Sequence, residues 1–273
     1  MKIASVNVNG IRAAYKRGMG RWVEERRPDV MLLQEVRATD DVLEAHLGQE
    51  WTTAHHACDV RGRAGVAIAS RLPATAVRVG LGNGVPEEPV DTGRWVEMDL
   101  DVAGAERPLT VVSVYVHSGT ANTPKMEAKY AHLEKVTKRL GELAEEARDG
   151  RRDVVVGGDL NIVHREVDIK NWKGNHNKAS GVLDEEIAYL DKWFADGWVD
   201  VGRKVAGDRP GPYTWWSWRG KAFDNDAGWR IDYQLATPEL AERVTDAGVD
   251  RAASYDQRFS DHAPVVATYD VQR

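Results

Sequence analysis

Short apolar segments rich in β-branched residues recur along the chain and constrain its fold more than any other feature. Several of them, such as Val66–Ala69 and Val154–Val156, are too continuous to be strands with one face in water. They predict sheets that are buried on both faces or packed on each other. The nine predicted strands are Ile3–Val8, Val30–Leu33, Val66–Ala69, Ala76–Val79, Trp95–Val102, Leu109–Val116, Val154–Val156, Ile231–Leu235 and Pro264–Tyr269.

Predicted helices alternate with these strands. In the clearest one Thr123 is the expected N-cap, Pro124 takes the first helical position, and the helix ends at Gly150. Its apolar residues recur every three or four positions, which is typical of a helix with one buried face. This order predicts an α/β protein with sheets in the centre, folded as one domain over residues 1–273. The shorter predicted helices are Met19–Arg27, Asp40–Leu47 and Asp184–Trp193.

Composition and charge exclude several classes of protein. The single cysteine, Cys58, excludes an intramolecular disulfide and a cysteine-rich zinc module. No apolar run approaches the roughly 20 residues of a membrane helix, and Met1–Val8 lacks the features of a signal peptide. We therefore expect a cytoplasmic protein with no membrane partner. The net charge of −6 disfavours a simple nucleic-acid coat protein but is compatible with an enzyme that concentrates acids around a metal.

Acidic and amide side chains stand repeatedly at the ends of the apolar segments, where strand ends project side chains into a shared crevice. Glu35 and Asp261 suit a hard divalent cation, because such cations take oxygen ligands in proteins. Asp159, Asn161 and His262 are candidates for orienting water and for neutralising charge on a phosphate. The full set is Asn7, Asn9, Glu35, Asp159, Asn161, Asp232, Asp261 and His262.

Each of these residues, taken singly, has a simpler explanation. A strand-end Asp or Asn is usually a turn residue, and the Asp261–His262 pair alone is compatible with a helix cap or a surface pair. The loop at 161–181 is rich in Asn, Lys, His and Gly and is either a solvated connection or functional. Its length favours a function. Only the combination suggests metal-assisted phosphoryl chemistry.

Six motifs follow one another along the chain: NVNGIRA (7–13), LQE (33–35), VYVHSG (114–119), GGDLNI (157–162), GWRIDY (228–233) and SDHAPV (260–265). Their order resembles exodeoxyribonuclease III and the related apurinic/apyrimidinic endonucleases over essentially the whole chain. A wider superfamily that includes inositol-polyphosphate phosphatases, sphingomyelinases and DNase I-like enzymes shares the Glu, Asp-Asn and Asp-His parts. The segments NGIRA, NIVHREVDIKNWKGN and GWRIDY favour the DNA-repair branch.

The resemblance implies a DNase I-like fold, a four-layer α/β sandwich of two face-to-face β-sheets flanked by helices. It also implies a monomeric DNA repair nuclease that uses Mg²⁺, with Mn²⁺ as a substitute, and acts on duplex DNA with abasic sites or 3′ ends. The expected reactions are cleavage 5′ to abasic sites, 3′→5′ exonuclease action, and trimming of blocked 3′ ends. In a bacterium such an enzyme would be associated with the nucleoid.

By the same resemblance, each strand-end residue receives an expected role. Glu35 would bind the metal, with Asn7 beside it and Asp261 close enough to contribute. Asp159 would orient or deprotonate the attacking water, and Asn161 would hold the same water or the phosphate. The remaining catalytic residues would be His262 on the scissile phosphate, Asp232 fixing the tautomer of His262, and Tyr115 donating a hydrogen bond to the phosphate.

The resemblance also implies a DNA-binding face. Trp215 and Trp229 would form an apolar wall for an extruded abasic deoxyribose, a sugar that needs little unstacking energy to leave the duplex. His117 stands where many relatives carry proline, and Trp229 is closer to the abasic endonucleases than to the strongest exonucleases. The residues expected to contact the DNA backbone are Arg37, Asn171, Lys173 and Asn175.

Two other functions compete with this one. A phosphatase or phospholipase of the same superfamily should lack the tryptophan wall and the amide-rich loop. It would keep Glu35, Asp159, Asn161 and His262. A non-catalytic DNA-binding or partner-binding descendant should lack some member of the site, and the sequence retains them all.

Overall fold

Two six-stranded mixed sheets packed face to face form the centre of the computed structural model, which describes residues 1–82 and 86–271. The strands are β1 Lys2–Asn7, β2 Val30–Gln34, β3 Thr52–His56, β4 Val66–Ser70, β5 Ala74–Val79, β6 Trp95–Leu100, β7 Leu109–Tyr115, β8 Asp153–Asp159, β9 Val199–Asp200, β10 Asp232–Ala236, β11 Val244–Val249 and β12 Val265–Tyr269. The helices are α1 Ile11–Lys16, α2 Met19–Arg26, α3 Asp40–Leu47, α4 Lys125–Arg148, α5 Trp172–Asn175, α6 Asp184–Ala195, α7 Val201–Ala206 and α8 Pro238–Ala241, with 3₁₀ turns at Glu166–Asp168 and Tyr255–Gln257.

The two sheets share one pattern of strand directions. The strand order is β11-β12-β1-β2-β4-β3 in the first sheet and β5-β6-β7-β8-β10-β9 in the second. In the middle of each sheet lies one parallel pair, β1 with β2 and β7 with β8, and antiparallel strands flank both pairs. The carboxyl ends of the strands in each parallel pair therefore lie together at one edge of their sheet.

Apolar side chains fill the space between the sheets and cover both outer faces. The layer between the sheets includes Ile3 and Leu32 from the first sheet and Met98 and Val111 from the second. Apolar residues of α1, α2 and α3 pack on the outer face of the first sheet, and those of α4 and α6 on that of the second. The expected four-layer α/β sandwich is confirmed. The central strands are continuous apolar runs because both of their faces are buried.

The long helix α4 carries the predicted buried stripe. Leu133, Val136, Leu140 and Leu143 of this helix pack on the second sheet. The prediction of its N-cap was wrong by one residue. Pro124 is the N-cap and the helix begins at Lys125, because Thr123 lies in a preceding turn where its hydroxyl donates to the carbonyl of Thr120.

All nine predicted strands are present, and the elements missed by the sequence analysis are short or lie at sheet edges. Edge strands β3, β9 and β11 carry polar residues, so they lack the continuous apolar run that marks the central strands. The long loop at 161–181 is partly ordered, since it contains a 3₁₀ turn and α5. No helix within the described residues has the length and apolar character needed to cross a membrane.

Two glycines near the end of β8 allow the layers to approach closely. A Cβ atom on Gly157 would lie 2.5 Å from the Cδ1 atom of Leu32 and 3.2 Å from the Cβ atom of Ser5, both in the first sheet. A Cβ atom on Gly158 would lie 1.9 Å from the carbonyl oxygen of Val114 in the neighbouring strand. The glycine pair therefore lets β8 pass close to both neighbours just before Asp159.

Buried polar bridges also join the two sheets. Gln34 of β2 donates through Nε2 to the hydroxyl of Ser113 in β7 at 3.0 Å. Gln234 of β10 donates to the carbonyl of Ile3 in β1 at 2.9 Å, and its Oε1 accepts from the Tyr269 hydroxyl at 3.0 Å. Since a buried polar group without a partner is costly, these bonds favour one alignment of the sheets.

Replacement of Gly158 by alanine tests the close approach. Gly158→Ala places a methyl group against a backbone carbonyl that cannot turn away. We expect the free energy of unfolding to fall by about 3 kcal/mol or more. Urea unfolding followed by tryptophan fluorescence measures this change.

Gly248→Ala is the matched control, because Gly248 is an exposed strand glycine whose added Cβ would meet nothing within 4 Å. We expect it to change the free energy of unfolding by less than about 0.5 kcal/mol. Equal destabilisation by the two substitutions would contradict the steric explanation.

Candidate active site

The four central strands bring polar side chains to one end of the sandwich. Asn7 ends β1 and Glu35 follows β2 directly in the first sheet, while Tyr115 ends β7 and Asp159 ends β8 in the second. Each pair stands at the carboxyl ends of two parallel strands, so the members of a pair are neighbours by topology. The predicted gathering of strand-end residues therefore occurs across both sheets.

Antiparallel strands bring two further residues to the same end. Asp232 begins β10 and lies directly opposite Asp159 in the strand register. His262 stands just before β12, which runs antiparallel to β1, and it is bridged to Trp215. Residues from the beginning, middle and end of the chain thus meet in one place.

The amide of Asn7 joins the two sheets at this end. Its Nδ2 atom donates to Glu35 Oε1 and to Asp159 Oδ2, both at 2.9 Å. Its own carbonyl accepts a hydrogen bond from Ser260 Oγ at 2.7 Å, and all four residues are buried. A carboxylate from each sheet is therefore held by the same NH₂ group.

His262 is fixed by a buried carboxylate. Its Nδ1 atom lies 2.8 Å from Asp232 Oδ2, which also accepts from the hydroxyl of Thr214 at 2.6 Å. Its other ring nitrogen, Nε2, lies 3.7 Å from Asp159 Oδ2. The imidazole thus stands between two carboxylates, with Nε2 directed to the Asp159 side.

The pKa values in this group follow from burial and from crowding of charge. Burial raises the pKa of Asp159 to about 8, with a further contribution from the carboxylate of Asp232. Burial alone would lower the pKa of His262, but the carboxylates of Asp232 and Asp159 outweigh it and raise this pKa to about 10. At neutral pH the imidazole is therefore a cation, stabilised chiefly by the carboxylate of Asp232.

Tyr115 presents a neutral hydroxyl near this group. Burial, followed by the negative charges of Glu35 and Asp159, raises the pKa of Tyr115 well above its usual range. The guanidinium of Arg94 lies 5.0 Å from the centre of its ring. The phenol therefore keeps its proton and remains a hydrogen-bond donor at neutral pH.

Hydrogen bonds from both the backbone and the side chain of Asn161 fix its position. Its backbone adopts a left-handed conformation with φ 52°, and its N–H donates to Asp159 Oδ1 at 2.9 Å. Its side-chain Nδ2 atom donates to the carbonyl of Val116 at 2.9 Å. The second bond uses the side-chain NH₂ group and leaves Oδ1 of Asn161 as an acceptor.

Left-handed backbone also occurs at Asn9, Glu35 and Arg37, and strain of this kind is typical of functional sites.

One group of side chains has the composition and spacing of a metal site. Ligand atoms of Glu35, Asp159 and His262 lie within 4.8 Å of one another. Buried carboxylates facing each other are unfavourable without a cation, and carboxylate oxygens suit a hard divalent ion. The residues present therefore fit a divalent metal, with Glu35 as an oxygen donor and the Asp159 carboxylate facing the same space.

The other two predicted metal-site residues have different surroundings. Asn7 contacts Glu35 directly, as described above. Asp261 lies outside the group of three, and its two oxygens accept from Asn9 Nδ2 at 2.8 Å and from Trp215 Nε1 at 3.2 Å. Arg37 forms an ion pair with Oε2 of Glu35, and its side chain is 40% exposed. Arg37 is thus the exposed cation closest to the carboxylates.

Trp215 and Trp229 form one aromatic surface beside these residues. They are paired by backbone hydrogen bonds of 2.9 Å in both directions, and their rings meet edge to face at 5.8 Å. Both rings are half-buried against the apolar cluster that contains Ile169 and Val182. Trp216, by contrast, is fully buried, so it belongs to the core and not to this surface.

The amide-rich loop lies next to this aromatic surface. Asn171 caps α5 by accepting from the N–H of Gly174, and Asn175 donates back to the carbonyl of Asn171 at 2.7 Å. Lys173 is exposed on the same helix. These three predicted residues lie together, but they do not contact the carboxylate group within the described residues.

Sequence reasoning missed several residues that hold the site. Thr214 carries no motif signal, because its role depends on the distant Asp232. Arg94 likewise becomes relevant only when folding places it over Tyr115. Ser260 lies inside the SDHAPV motif and was available to inspection, yet its bond to Asn7 spans 253 positions of the chain.

Comparison with known proteins shows which family shares this sequence. A model of the endonuclease/exonuclease/phosphatase family matches residues 4–262. The chain belongs to this family. The resemblance inferred from the six motifs is thereby confirmed.

Individual members of the family are similar over nearly the whole chain. The exodeoxyribonuclease of Bacillus subtilis (strain 168) is 30% identical over 266 residues, which cover 97% of this chain and 98% of that protein. The solved AP endonuclease from Archaeoglobus fulgidus has a TM-score of 0.83 at 31% identity and covers 99% of this chain and 100% of its own. The 3′ phosphatase NExo from Neisseria, solved with a product DNA hairpin, has a TM-score of 0.83 at 26% identity with 99% of both chains covered.

The charge state of His262 is a direct test of the site's electrostatics. In the metal-free protein we expect a pKa of about 10 for this imidazole, measured by NMR titration of the labelled ring. Asp232→Asn removes the negative charge that stabilises the imidazolium and should move the pKa down toward 6.5. Because the folded pKa is the higher one, the stabilisation is complete below pH 6.5 and is lost as the pH rises through about 10.

A His262 resonance that titrates near 6.5 in the unsubstituted protein would contradict this assignment. The ring of His176 faces Asp184 rather than the buried carboxylates, so its resonances should keep their positions in the Asp232→Asn protein and report an unchanged fold.

Proposed function

We propose that the protein is a magnesium-dependent DNA repair nuclease that cleaves duplex DNA on the 5′ side of abasic sites and leaves a 3′-hydroxyl. The same site would remove nucleotides in the 3′→5′ direction and trim blocked 3′ ends. Hydrolysis of DNA phosphoesters is common to the relatives, whose names are exodeoxyribonuclease, AP endonuclease and 3′ phosphatase. The observation that carries the proposal is the Asn7-linked carboxylate pair with a cationic His262 beside it.

Asp159 is the residue best suited to activate water. Burial raises the pKa of Asp159, which makes its carboxylate a stronger base than an exposed one. The hydrogen bonds from Asn7 and Asn161 fix both of its oxygens, so the carboxylate would accept a proton in a defined direction. The Oδ1 atom of Asn161 would hold the same water by accepting a hydrogen bond from its other hydrogen.

His262 and Tyr115 would stabilise the negative charge that develops on the phosphate. The imidazolium of His262 is kept charged by Asp232 and is aimed through Nε2. The Tyr115 hydroxyl stays protonated, so it can donate a hydrogen bond to a phosphate oxygen. Fixed donors of this kind stabilise a transition state without having to reorganise.

Glu35 would hold the metal, with Asp159 facing it and Asn7 orienting its carboxylate. A bound divalent cation would neutralise charge on the phosphate oxygens and polarise the phosphorus centre. Mg²⁺ suits this site because few protein carboxylates are offered and the remaining ligands would be water and phosphate. Mn²⁺ accepts the same oxygen ligands and is the expected substitute.

The DNA-binding face would extend from the carboxylates along the aromatic surface. Trp215 and Trp229 would wall a pocket for an abasic deoxyribose, which flips out at low cost because it has no base to unstack. Arg37, together with Asn171, Lys173 and Asn175, would contact the phosphate backbone. Asp261 would support this face through its bond to Trp215. The monomeric state and the cytoplasmic location expected from the sequence stay predictions.

A phosphatase or phospholipase of the same family is the competing function. It would use the same carboxylates and histidine, so the catalytic group does not separate the two. The tryptophan pair and the amide-rich loop favour DNA, because they place an apolar wall and backbone-binding donors beside one phosphoester site.

Product analysis on two labelled duplexes tests the proposed activity. With Mg²⁺ we expect incision 5′ to the lesion of an abasic duplex, and stepwise shortening of an intact duplex with a recessed 3′ end. EDTA should abolish both reactions and added Mg²⁺ should restore them, since the carboxylate site needs a cation. Denaturing electrophoresis measures the lengths of the products of both reactions. Identification of the group at their 3′ ends shows whether a 3′-hydroxyl is left.

Asp159→Asn is the control for contaminating nucleases in that experiment. It keeps the shape of the side chain but removes the base, so purified variant should bind the abasic duplex and fail to cut it. Cleavage that persists in EDTA, or in this variant, would contradict the proposed mechanism.

Trp229→Ala tests the abasic pocket. Loss of the wall should lower kcat/KM for abasic cleavage by about tenfold or more, because the extruded sugar loses its packing surface. Removal of a 3′-phosphate needs no extruded sugar, so it should change much less. Trp218→Ala is the matched control, since Trp218 packs on Tyr255 and Arg258 away from the pocket. Equal loss of both activities in Trp229→Ala would count against the pocket.

A further inference from the structure

A fully buried ion pair lies beneath the candidate site and has no part in the chemistry proposed above. Lys129 belongs to the buried side of α4, and Glu186 belongs to the first turn of α6. Both side chains have no exposed surface, and Lys129 Nζ lies 2.5 Å from Glu186 Oε1. Burying two charges is costly unless their hydrogen-bonding capacity is fully used.

The ammonium group of Lys129 uses all of its hydrogen-bonding capacity. Besides Glu186, it donates to the carbonyl of Asn161 at 2.9 Å and to the carbonyl of Ser118 at 3.3 Å. An ammonium has three protons, and three acceptors surround it. Two of these acceptors lie in the segments that leave β8 and β7, just after Asp159 and Tyr115 respectively. The lysine therefore fixes the backbone on both sides of the catalytic strand ends.

The carboxylate of Glu186 extends this framework to the aromatic surface. Its Oε2 atom accepts from the backbone N–H groups of Gly181 at 2.5 Å and Leu183 at 3.1 Å. Gly181 is in close contact with the site, because a Cβ atom there would lie 2.8 Å from the carbonyl oxygen of Asn161 and 3.4 Å from the ring of Trp229. The end of the amide-rich loop is thus pressed against both residues by its bond to Glu186.

We propose that Lys129 and Glu186 are positioning residues for the nuclease reaction. The inference rests on the proposed function, in which Asn161 holds the attacking water. Asn161 has a left-handed backbone, so its side-chain direction depends on how its peptide groups are held. Lys129 holds the carbonyl of Asn161 while Asp159 holds its N–H. Without the ammonium group of Lys129 the carbonyl of Asn161 can rotate. The side-chain amide of Asn161 then changes direction with it.

A purely structural role, in which the pair only docks α6 on α4, makes a different prediction. The two helices are also joined away from the site, because Trp193 Nε1 donates to Thr137 Oγ1 at 2.8 Å and the Tyr189 hydroxyl donates to Glu134 at 2.6 Å. If docking were the only role, loss of the ion pair and loss of a distant bond should both affect stability and leave turnover unchanged.

The test uses a double substitution, Lys129→Met with Glu186→Gln, which removes both charges together and so avoids an unpaired buried ion. Glutamine can still accept from Gly181. Steady-state cleavage of an abasic duplex in Mg²⁺ is measured below the unfolding midpoint of each protein, with DNA affinity measured separately. We expect kcat to fall by about 10- to 100-fold, because a small misplacement of a positioning group has effects of this size, while KM and DNA affinity change less than about threefold.

Thr137→Val is the matched control, because it removes a helix–helix hydrogen bond far from Asn161. It should lower the unfolding midpoint and leave kcat within about twofold of the unsubstituted value. If the double variant does not fold, Lys129→Gln with Glu186→Gln decides the question, because two neutral amides replace the ion pair without leaving a buried charge unpaired. A kcat lowered at least about threefold at unchanged KM supports the inference, and a smaller change overturns it.

Failure of this inference is distinguishable from failure of the proposed function. If the unsubstituted protein cuts neither duplex in Mg²⁺, the proposed function fails. If it cuts and the folded double variant keeps its kcat within about threefold, only the positioning role of the ion pair is overturned.

Discussion

One amide group determines how the two halves of the active site meet. Asn7 lies in the first sheet, yet its NH₂ group donates equally to Glu35 of its own sheet and to Asp159 of the other. This contact is possible only because Gly157 and Gly158 let β8 come close to its neighbours just before Asp159. The two glycines, which have no side chain, and the amide of Asn7 therefore set the distance between the Glu35 and Asp159 carboxylates.

Electrostatics follows from this packing. Closing the sandwich at one end forces several carboxylates into a space from which water is largely excluded, and the free energy of that arrangement depends on compensating positive charge. The imidazolium of His262 supplies one such charge, held in place by Asp232 and Thr214. The geometry that crowds the acids is thus the geometry that makes the end of the sandwich suitable for a cation and for phosphate chemistry.

The central part of the fold was predictable from the sequence because two-sided burial leaves continuous apolar runs, as in β4 and β8. Edge strands such as β11 were not, since one exposed edge allows polar residues and erases the pattern. In the site, residues such as Glu35 and Asp159 were predictable from their place at strand ends. Their partners were not. The sequence around Thr214 or Lys129 holds no sign of a contact, because the partner lies in another layer of the fold.

Lys129 illustrates this limit well. It falls on the buried side of α4 with Leu133 and Val136, where helical periodicity would lead one to expect an apolar side chain. A lysine at such a position, read from sequence, is most simply a surface residue. Its burial makes sense only when Glu186, Ser118 and Asn161 are in place around it.

The contacts of Asn7 have a consequence for how the protein folds. Its bonds to Asp159 and to Ser260 span 152 and 253 positions of the chain, so the first strand, the middle strand and the segment before the last strand must all be in place before the site exists. Contacts of such long range form late, after much loop-closure entropy has been lost. No fragment that lacks β1 or the segment before β12 contains Asn7, Asp159 and Ser260 together. A ligand that binds there binds only the fully folded protein. Its binding free energy therefore adds to the stability of the whole molecule.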